Sequence, residues 1–503
     1  MKNLVVLAIA AVMTLVSGQT EAGSPKIITN VTLLSPERSA PLPDAWVRID
    51  EGIITAVGSG SIDTSGLEVI DANGSYIIPG LIDSHVHLYH ATGLKRRYTD
   101  DFDRLYTDFM DQQPRSFLFF GFTSVIELNS KRSANARFEA APVHPRLFHC
   151  GQAVILSDGF MALELEGTPI DEVYPGYLID HHAGGAVPEA ADPALHTPKA
   201  VVANVRKQGG RCVKLYYEEA LWWPGGAPDF RLPSAAIVRD VVAAAHAQGL
   251  PVVLHATTPN GHRFALETDV DVLGHGMWEW PGQGFATPDP SPEYLQVARA
   301  VAQSDVGLQP TFSTILNTAS LFEPDLLDDP TWMDVVPAAY LDYLRNDAQQ
   351  QRDAFLTMFG PQFAEDASVE AVPSAMQAFT LRYERLIGAM AADDASLLFG
   401  TDTAVGGFGW ASPPGLAGYR EIQAWRRAGV SLKSLFASLT IGNARAFGLD
   451  REVGTIEAGK HADLLILNSN PLEDVMAYDT IVQVILGGEV IARDSLSARN
   501  QVR

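Results

Sequence analysis

Short apolar runs that recur between helical patterns are the feature that most restricts how this chain can fold. Buried parallel strands read as near-continuous apolar runs, and the helices between them form the crossovers. Eight such runs occur in the middle of the chain, at 76–87, 121–128, 146–155, 211–217, 251–256, 272–276, 306–312 and 397–402. Eight β/α units fit a closed barrel, so we expect an α/β fold, a (β/α)8 TIM-like barrel.

The segments on either side of this region have a different pattern. Residues 26–78 and 452–503 alternate apolar and polar side chains between turn sequences, which is typical of half-buried strands. Residues 313–395, between the last two apolar runs, form a long, acidic, helix-like insertion. We interpret this insertion either as a lid or as packing. A helical pattern at 232–250 ends on Gly249, as a helix stop should.

Composition and charge limit the class of protein. Of the 503 residues, 47% are hydrophobic and 19% charged, which supports a sizeable core and argues against disorder. The formal net charge is −24, and no Lys/Arg cluster interrupts the acidic composition. A surface this negative repels phosphate backbones, so we do not expect nucleic acid as a partner.

Residues 1–22 have the pattern of a secretory signal peptide. Lys2 gives a positive start, the apolar stretch from Leu4 to Val16 is too short to span a bilayer, and small residues follow. We therefore expect an exported protein, periplasmic or extracellular. The alternative is a buried N-terminal helix. No later stretch is long and apolar enough to predict a membrane span.

The chain has two cysteines, Cys150 and Cys212. Two are too few for a disulfide framework or a cysteine-based zinc site. An oxidising compartment would allow them to form one disulfide. The interpretation we favour is a pair of inert buried thiols.

Chemistry-bearing residues stand where the predicted strands end. A strand places residues i and i+2 on one face, so the two histidines of "DSHVH" point the same way. In a barrel of this type the carboxyl ends of the strands converge on one site. The residues found at these ends are His85, His87, Lys214, His255, His275 and Asp402. Nitrogen and oxygen ligands of these kinds predict a metal site suited to zinc.

These motifs resemble the amidohydrolase superfamily of metal-dependent hydrolases, in its imidazolonepropionase-like and prolidase-like branch. The resemblance extends over the mature chain and is weakest in 281–395. The tail "GTIEAGKHADLLIL" is similar to the family's return into a small β-sandwich built from both chain ends. The resemblance therefore implies a composite sandwich domain of residues 23–79 and 445–503 around a hydrolase barrel of residues 80–444.

The resemblance also implies a two-metal centre. His85, His87 and Asp402 would bind an inner zinc ion, and His255 and His275 an outer one. Lys214, which a buried site would push toward neutrality, would take up carbon dioxide and bridge the two ions as N6-carboxylysine. The alternative for Lys214 is a salt bridge to a carboxylate.

A hydrolase follows from these parts. Two ions lower the pKa of a shared water toward neutrality, and Asp402 would carry its proton to the leaving group as general base and acid. We expect cleavage of a C–N bond in a small molecule, most plausibly a dipeptide or an N-acyl amino acid. Alternatives are a lactonase or esterase, a cyclic-amide hydrolase, or an inactive metal-binding or interaction protein. A deaminase is disfavoured, because Thr258 stands where such enzymes carry a glutamate.

Substrate contacts are less defined by the sequence. The family's glycine-rich turn after the strand-four lysine is replaced by "YYEEALWWPGG". We interpret Tyr216, Tyr217 and Trp222 as candidate substrate-binding residues, with core packing as the alternative. The adjacent His181 and His182 point apart on a strand and are expected at the surface. Pairing of subunits into a homo-oligomer stays open.

Overall fold

A computed structural model describes residues 25–500, except 166, 190, 224–225, 281–283, 285–286, 324, 364–367, 369 and 405–409. The signal peptide predicted at 1–22 lies outside the described residues. None of the helices in the described part of the chain has both the length and the apolar character needed to cross a membrane.

Strands from both chain ends join in one mixed sheet. Within the described ranges this sheet has eight strands, in the order β15-β14-β13-β5-β1-β2-β3, with β4 also paired to β1. Their bounds are β1 Lys26–Leu33, β2 Leu42–Asp50, β3 Ile53–Ser59, β4 Glu68–Asp71, β5 Tyr76–Pro79, β13 Leu464–Leu467, β14 Ile481–Leu486 and β15 Glu489–Ala492. The alternating pattern of the two ends thus forms strands, as the sequence predicts. Buried side chains such as Ile28, Val47 and Leu464 form a core of their own beside it.

The apolar runs in the middle of the chain form parallel strands. Two parallel sheets are present, β6-β7-β8 and β9-β10-β11-β12. The strands are β6 Leu81–Val86, β7 Phe122–Glu127, β8 Arg146–His149, β9 Val213–Tyr216, β10 Val252–His255, β11 Val272–Gly274 and β12 Gly307–Gln309. Almost every residue in them is buried, as expected for strands covered on both faces.

The eighth predicted strand, 397–402, is not a continuous strand. It makes single parallel bridges, Leu308 with Leu397 on one side and Val86 with Thr403 on the other. Backbone hydrogen bonds nevertheless run along it, since the amide of Ser84 donates to the carbonyl oxygen of Phe399 at 3.1 Å. Asp402 has a left-handed φ of +58°, and pairing with β6 resumes directly after it at the bridge of Thr403.

Cys150 and Cys212 form a disulfide bond, so the expectation of two free thiols is wrong. Cys150 directly follows β8 and Cys212 directly precedes β9. The two parallel sheets meet at this point, and the amide of Arg211 donates to the carbonyl oxygen of His149 at 2.7 Å. The disulfide therefore links one parallel sheet to the other.

Helices fill most connections between the strands. They are α1 Phe102–Phe119, α2 Arg132–Glu139, α3 Ile170–Val173, α4 Pro198–Lys207, α5 Ala235–His246, α6 Pro259–Thr268, α7 Pro292–Ala302, α8 Phe312–Ala319, α9 Trp332–Val335, α10 Ala338–Phe363, α11 Ala371–Ala392, α12 Leu416–Arg427, α13 Leu432–Ala437 and α14 Asn443–Ala446. Helix α5 is the one predicted within 232–250. It begins at the cap Ser234, whose side chain accepts from the amide of Ile237, and Gly249 follows with a φ of +67°.

The insertion 313–395 is helical, as predicted, and includes most of α8 together with α9, α10 and α11. Its buried side chains, among them Tyr340, Leu344 and Tyr383, belong to the same core as the parallel strands. The insertion is therefore packed into the main body of the protein. It also contributes to the cavity described next.

Candidate metal centre

His85 and His87 converge on one carboxylate oxygen. His85 lies within β6 and is fully buried, and His87 follows directly after that strand. The Nε2 atom of His85 is 3.2 Å from Oδ1 of Asp402, and the Nε2 atom of His87 is 3.0 Å from the same oxygen. These three side chains form a group with one ligand atom each within 4.8 Å of one another.

Backbone pairing holds Asp402 against β6. The amide of Asp402 donates to the carbonyl oxygen of His85 at 2.7 Å, and the amide of His87 donates to that of Thr403 at 2.6 Å. The left-handed conformation of Asp402 turns its side chain at the point where these bonds end. Backbone strain of this kind is concentrated at functional sites in proteins.

His255 and His275 continue the cluster. His255 ends β10 and His275 follows β11. The ring centroids of His255 and His275 are 4.6 Å apart, and those of His275 and His85 are 4.9 Å apart. Burial lowers the pKa of His255 to about 3 and holds the pKa values of His85 and His275 well below the ordinary range. Neutral imidazoles are the form that binds metal.

Each of the four histidines is held by an outer side chain through one ring nitrogen. The pairs are His85 Nδ1 with Gln309 Oε1 at 3.0 Å, His87 Nδ1 with Glu127 Oε1 at 3.2 Å, His275 Nδ1 with Thr311 Oγ1 at 2.9 Å, and His255 Nε2 with Glu218 Oε2 at 2.7 Å. The other ring nitrogens of His85 and His87 lie within 3.2 Å of Asp402 Oδ1. Metal-binding histidines are typically oriented in this way.

Gln309 fixes the tautomer of His85. Its Nε2 donates to the carbonyl oxygen and to the hydroxyl of Ser84, at 2.9 and 2.7 Å, so its Oε1 must face the ring and accept from Nδ1–H. The Nε2 atom of His85 is then an unprotonated acceptor with no hydrogen-bond partner among the described residues. It nevertheless lies 3.2 Å from a carboxylate oxygen of Asp402. A cation between the two atoms would satisfy both of them.

Lys214 lies at the same end of the strands and is 1% exposed. Within the described part of the chain its Nζ has neither a hydrogen bond nor a salt bridge, so the salt-bridge alternative finds no support. Burial lowers the pKa of this amine to about 8. Gly274 makes room for it, because a Cβ there would be 2.9 Å from Nζ. A lysine with a lowered pKa and with no hydrogen bond or salt bridge among the described residues fits a side chain that becomes an anionic ligand.

A cavity of about 640 Å³ opens in front of these side chains. All six predicted metal-site residues line it. Tyr216 and Trp222 line it as well, whereas Tyr217 is not among the lining residues and packs against Phe264, with ring centroids 4.5 Å apart. Because neighbouring residues of β9 face opposite ways, the substrate role predicted for Tyr217 has no support from the geometry.

His181 and His182 lie outside this cavity and are exposed, as expected. They lie in a turn with their ring centroids 4.1 Å apart, so the expectation that they point apart on a strand is wrong. The Nε2 atom of His182 is 2.9 Å from Asp240, and these three exposed residues form a second group within ligand distance of one another. Exposed acidic and imidazole groups of this kind are common on surfaces. The site therefore lies at the strand ends.

The outer residues were not predicted from the sequence, although Glu127 and Gln309 end apolar runs just as His255 does. Glu218 is close to a second buried acid, Glu279, whose Oε2 accepts from the amide of Leu221 at 2.9 Å. Burial raises the pKa of Glu218 to about 7. Glu279 thereby ties the loop after β9 to the loop after β11.

A family model described as the amidohydrolase family matches residues 76–272 and 361–491, more than half of the chain. The chain therefore belongs to the amidohydrolase family, as the sequence motifs predict.

Curated relatives match only in short segments. A dihydroorotase from Trichlorobacter lovleyi is 48% identical over 42 residues, 8% of this chain and 10% of that protein. The chain thus spans about a tenth of that relative's length.

Solved structures are similar over nearly the whole chain. An Xaa-Pro dipeptidase with bound methionine is 20% identical, with a TM-score of 0.60 over 93% of this chain and 100% of that one. Phenylurea hydrolase B is 19% identical, with a TM-score of 0.61 over 94% and 98%. At these identities the likeness concerns the fold alone.

Proposed function

We propose that this protein is a metal-dependent hydrolase that cleaves a C–N bond of a small molecule. The carrying observation is the pair of acceptors, His85 Nε2 and Asp402 Oδ1, 3.2 Å apart in a buried site. A divalent cation between them satisfies both atoms. Dipeptidase and phenylurea hydrolase, the names of two similar structures, both denote hydrolases of C–N bonds.

The donor set fits two zinc ions. His85, His87 and Asp402 would hold one ion, and His255 and His275 the other. Lys214 would bridge them after its neutral Nζ forms a bond to the carbon of carbon dioxide and loses one N–H proton. The resulting N6-carboxylysine supplies an anionic oxygen to each ion. Four imidazoles with few carboxylates favour zinc over magnesium or calcium.

When bound, the ions lower the pKa of a water molecule and polarise the substrate carbonyl. Side chains of the protein would transfer the proton, orient the carboxylate that carries it and exclude water. Asp402 is the proton carrier, taking the proton of the attacking water and delivering it to the leaving nitrogen. Thr314 Oγ1 lies 3.4 Å from Oδ2 of Asp402 and orients the second oxygen of that carboxylate. Tyr216 and Trp222 exclude bulk water from the cavity.

A closed barrel is part of the proposal. Segment 397–402 bonds to β12 on one side and β6 on the other, and the disulfide and the His149–Arg211 hydrogen bond join β8 to β9. These contacts support a continuous ring of eight parallel segments at 80–444. The mixed sheet from both chain ends supports the composite β-sandwich domain of residues 23–79 and 445–503.

We also propose that the protein is exported to the periplasm or outside the cell. The disulfide between Cys150 and Cys212 supports this, because disulfides persist in oxidising compartments. It is independent of the signal-peptide pattern in residues 1–22.

Metal content and activity test the proposal together. The protein is stripped with a chelator, reloaded with zinc and bicarbonate, and assayed on amides, dipeptides, ureas and lactones. We expect hydrolysis of an amide-type bond only after reloading, with two zinc ions per chain. In Lys214→Ala we expect about half of the bound zinc and loss of most activity, since the bridging ligand is gone.

A label identifies the modification itself. With ¹³C-bicarbonate the wild type should show a carbamate carbon resonance that Lys214→Ala lacks. Lys460→Ala, which removes a lysine of the terminal sheet region, serves as the matched control and should keep that resonance. Full activity with a single ion per chain would reject the bridged centre. A zinc-loaded protein that hydrolyses none of these compounds would favour the inactive binding protein.

A further inference from the structure

The cavity in front of the metal centre has an apolar wall. We define this apolar wall by Phe160, Trp222, Phe355, Phe359, Met376 and Phe379, all of which line the cavity. The rings of Trp222 and Phe359 have centroids 6.3 Å apart, and those of Phe355 and Phe359 are 5.3 Å apart. The helices of the insertion therefore supply much of the surface that a substrate would contact.

The apolar wall is joined to the loop after β9. Gln362, on the last turn of α10, donates through Nε2 to the carbonyl oxygen of Trp222 at 2.8 Å. Helices α10 and α11 and this loop thus form one side of the cavity. The insertion therefore contributes both to the core and to the lining of the cavity.

The charges around the cavity are acidic. Glu218 and Glu279 line it, and the Oε2 atom of Glu218 is 2.7 Å from Nε2 of His255. Among the described residues that line it, the one Lys or Arg is Lys214, which belongs to the metal centre. The undescribed residues between 25 and 500 contain no Lys, Arg or His, so they add no cation.

Two further basic groups lie in or beside this lining. His90 lines the cavity, but an imidazole does not carry the permanent positive charge of an arginine or lysine at pH 7. Lys131 is exposed, and its Nζ lies 4.0 Å from the centroid of the Tyr89 ring, outside the lining residues. Neither provides a buried counter-ion.

Away from the metal ligands, a free carboxylate in this cavity would lose its hydration without meeting a lysine or arginine among the described lining residues, which include Glu218 and Glu279. Dipeptides and N-acyl amino acids carry such a carboxylate beside the scissile bond. Enzymes that bind carboxylates typically use arginine or lysine for this purpose.

We infer that the centre takes an uncharged, apolar carbonyl substrate, an aryl or alkyl amide, carbamate or urea, and that α10 and α11 select it. This inference rests on the proposed hydrolase function and narrows its substrate class. Water contributes a hydroxyl group to the carbonyl carbon and a proton to the leaving nitrogen as the C–N bond breaks.

Matched substrates test the charge preference. The zinc-loaded protein is assayed with N-octanoyl aniline, its 4-carboxylate twin and its 4-aminomethyl twin. Binding is measured separately with ketone analogues in which CH2 replaces NH, through the fluorescence of Trp222 and Trp278. We expect the uncharged member to bind and react at least about tenfold better than the carboxylate twin, because the cavity offers that charge no partner.

Variants at Gln362 test whether the lack of a cation in the cavity causes the preference for uncharged substrates. Gln362→Arg places a cation in the wall at a partly exposed site, and Gln362→Met is the uncharged control. Gln362→Arg should shift the preference toward the carboxylate twin by about tenfold, the usual scale of a charge-assisted hydrogen bond. Gln362→Met should keep the original order. Lys131→Met should also leave the order unchanged, since that amine lies outside the cavity.

The outcomes separate the two proposals. Preference for the carboxylate or the aminomethyl twin overturns the inference, and hydrolysis of that twin leaves the hydrolase proposal intact. Tight binding of the uncharged ketone with no hydrolysis of any amide supports the inference on substrate charge and overturns the catalytic proposal. Loss of carboxylate binding in Lys131→Met would identify a rim counter-ion and overturn the inference.

Discussion

Gln309 and His85 are joined side chain to side chain, with 3.0 Å between Oε1 of the amide and Nδ1 of the ring. The two residues are 224 positions apart in the chain, at the ends of β12 and β6. Since Ser84 occupies the amide nitrogen of Gln309, the ring proton is fixed on Nδ1. Gln309 therefore presents the bare Nε2 of His85 to the metal centre.

Gln309→Met should weaken zinc binding. Methionine has a similar volume but accepts no strong hydrogen bond from Nδ1–H, so the ring loses its preferred tautomer and orientation. Removal of an outer partner of a metal-binding histidine typically costs about 10–100-fold in metal affinity. Competition with a chromogenic chelator measures the affinity directly.

Gln423→Met is the matched control for this change. Gln423 lies on α12 and is not among the residues lining the cavity, so the same substitution there should leave zinc affinity unchanged. Equal zinc affinity in Gln309→Met and the wild type would contradict the role assigned to the amide.

Asp402→Asn should remove activity while the fold is kept. Asparagine adopts the left-handed conformation as readily as aspartate, so the φ of +58° adds no strain. The carboxylate that faces His85 and His87 is lost, and with it the proton carrier. General acid–base groups contribute about 10²–10⁴-fold, and we expect a loss of at least that size in kcat/KM.

Asp394→Asn is the control, because Asp394 has the same φ of +58° in an exposed turn. Both variants should keep the wild-type urea midpoint in the metal-free state. Activity within a factor of a few of wild type in Asp402→Asn would refute the assignment.

The sequence predicts the inner part of the site because position along a strand is a local property. His85, His87 and His255 stand at the ends of apolar runs, and parallel strands bring their carboxyl ends to one edge. The outer partners depend on which strands are neighbours and on side-chain direction. Glu127 and Gln309 could have been noticed as polar ends of apolar runs. Which histidine each of them contacts depends on the three-dimensional arrangement of the strands, which the sequence pattern does not give.

The pairing of the two cysteines also depends on which strands are neighbours, and the sequence pattern does not give this. Cys150 and Cys212 are 62 positions apart in the chain. The number of cysteines alone does not show that the two form a disulfide rather than remain as free thiols. They meet because one follows β8, the other precedes β9, and these strands belong to adjoining sheets. Segment 397–402 differs from the predicted strand because its pairing is limited to single bridges, at Leu397 with β12 and at the adjoining Thr403 with β6.

Removal of the disulfide should lower stability. For a loop of 62 residues, the entropy of the unfolded chain predicts a loss of about 4 kcal/mol in the free energy of unfolding. The Cys150→Ala/Cys212→Ala protein should therefore unfold at a lower urea concentration. Both cysteines lie in an apolar cluster, which suits the alanine side chain. Because both are replaced, the double variant has no unpaired thiol.

The reducing agent provides the control for this prediction. Dithiothreitol should lower the midpoint of the wild type and leave that of the double variant unchanged. If the wild type and the double variant unfold at the same urea concentration, the bond adds nothing to the stability of the protein.

Glu421 gives the stability a specific pH dependence. Its carboxyl group is buried on α12 and accepts from the amides of Phe312 and Ser313, at 3.0 and 2.6 Å, and from Trp425 Nε1 at 2.9 Å. Burial outweighs these donors and raises the pKa of Glu421 from 4.5 to about 7. The folded state therefore holds this proton more tightly than the unfolded state does.

The contribution of Glu421 to stability is present in full below pH 4.5 and is lost as the pH rises through about 7. Within that window the group lowers the free energy of unfolding by up to about 1.4 kcal/mol per pH unit. Glu421→Gln cannot titrate, so its urea midpoint should fall less steeply between these pH values than that of the wild type, even if the variant is less stable throughout. Glu384→Gln, at a surface ion pair with Arg427, should keep the wild-type slope. Parallel curves for the wild type and Glu421→Gln would show that the carboxyl group is ionised throughout the range, with its hydrogen bonds outweighing burial.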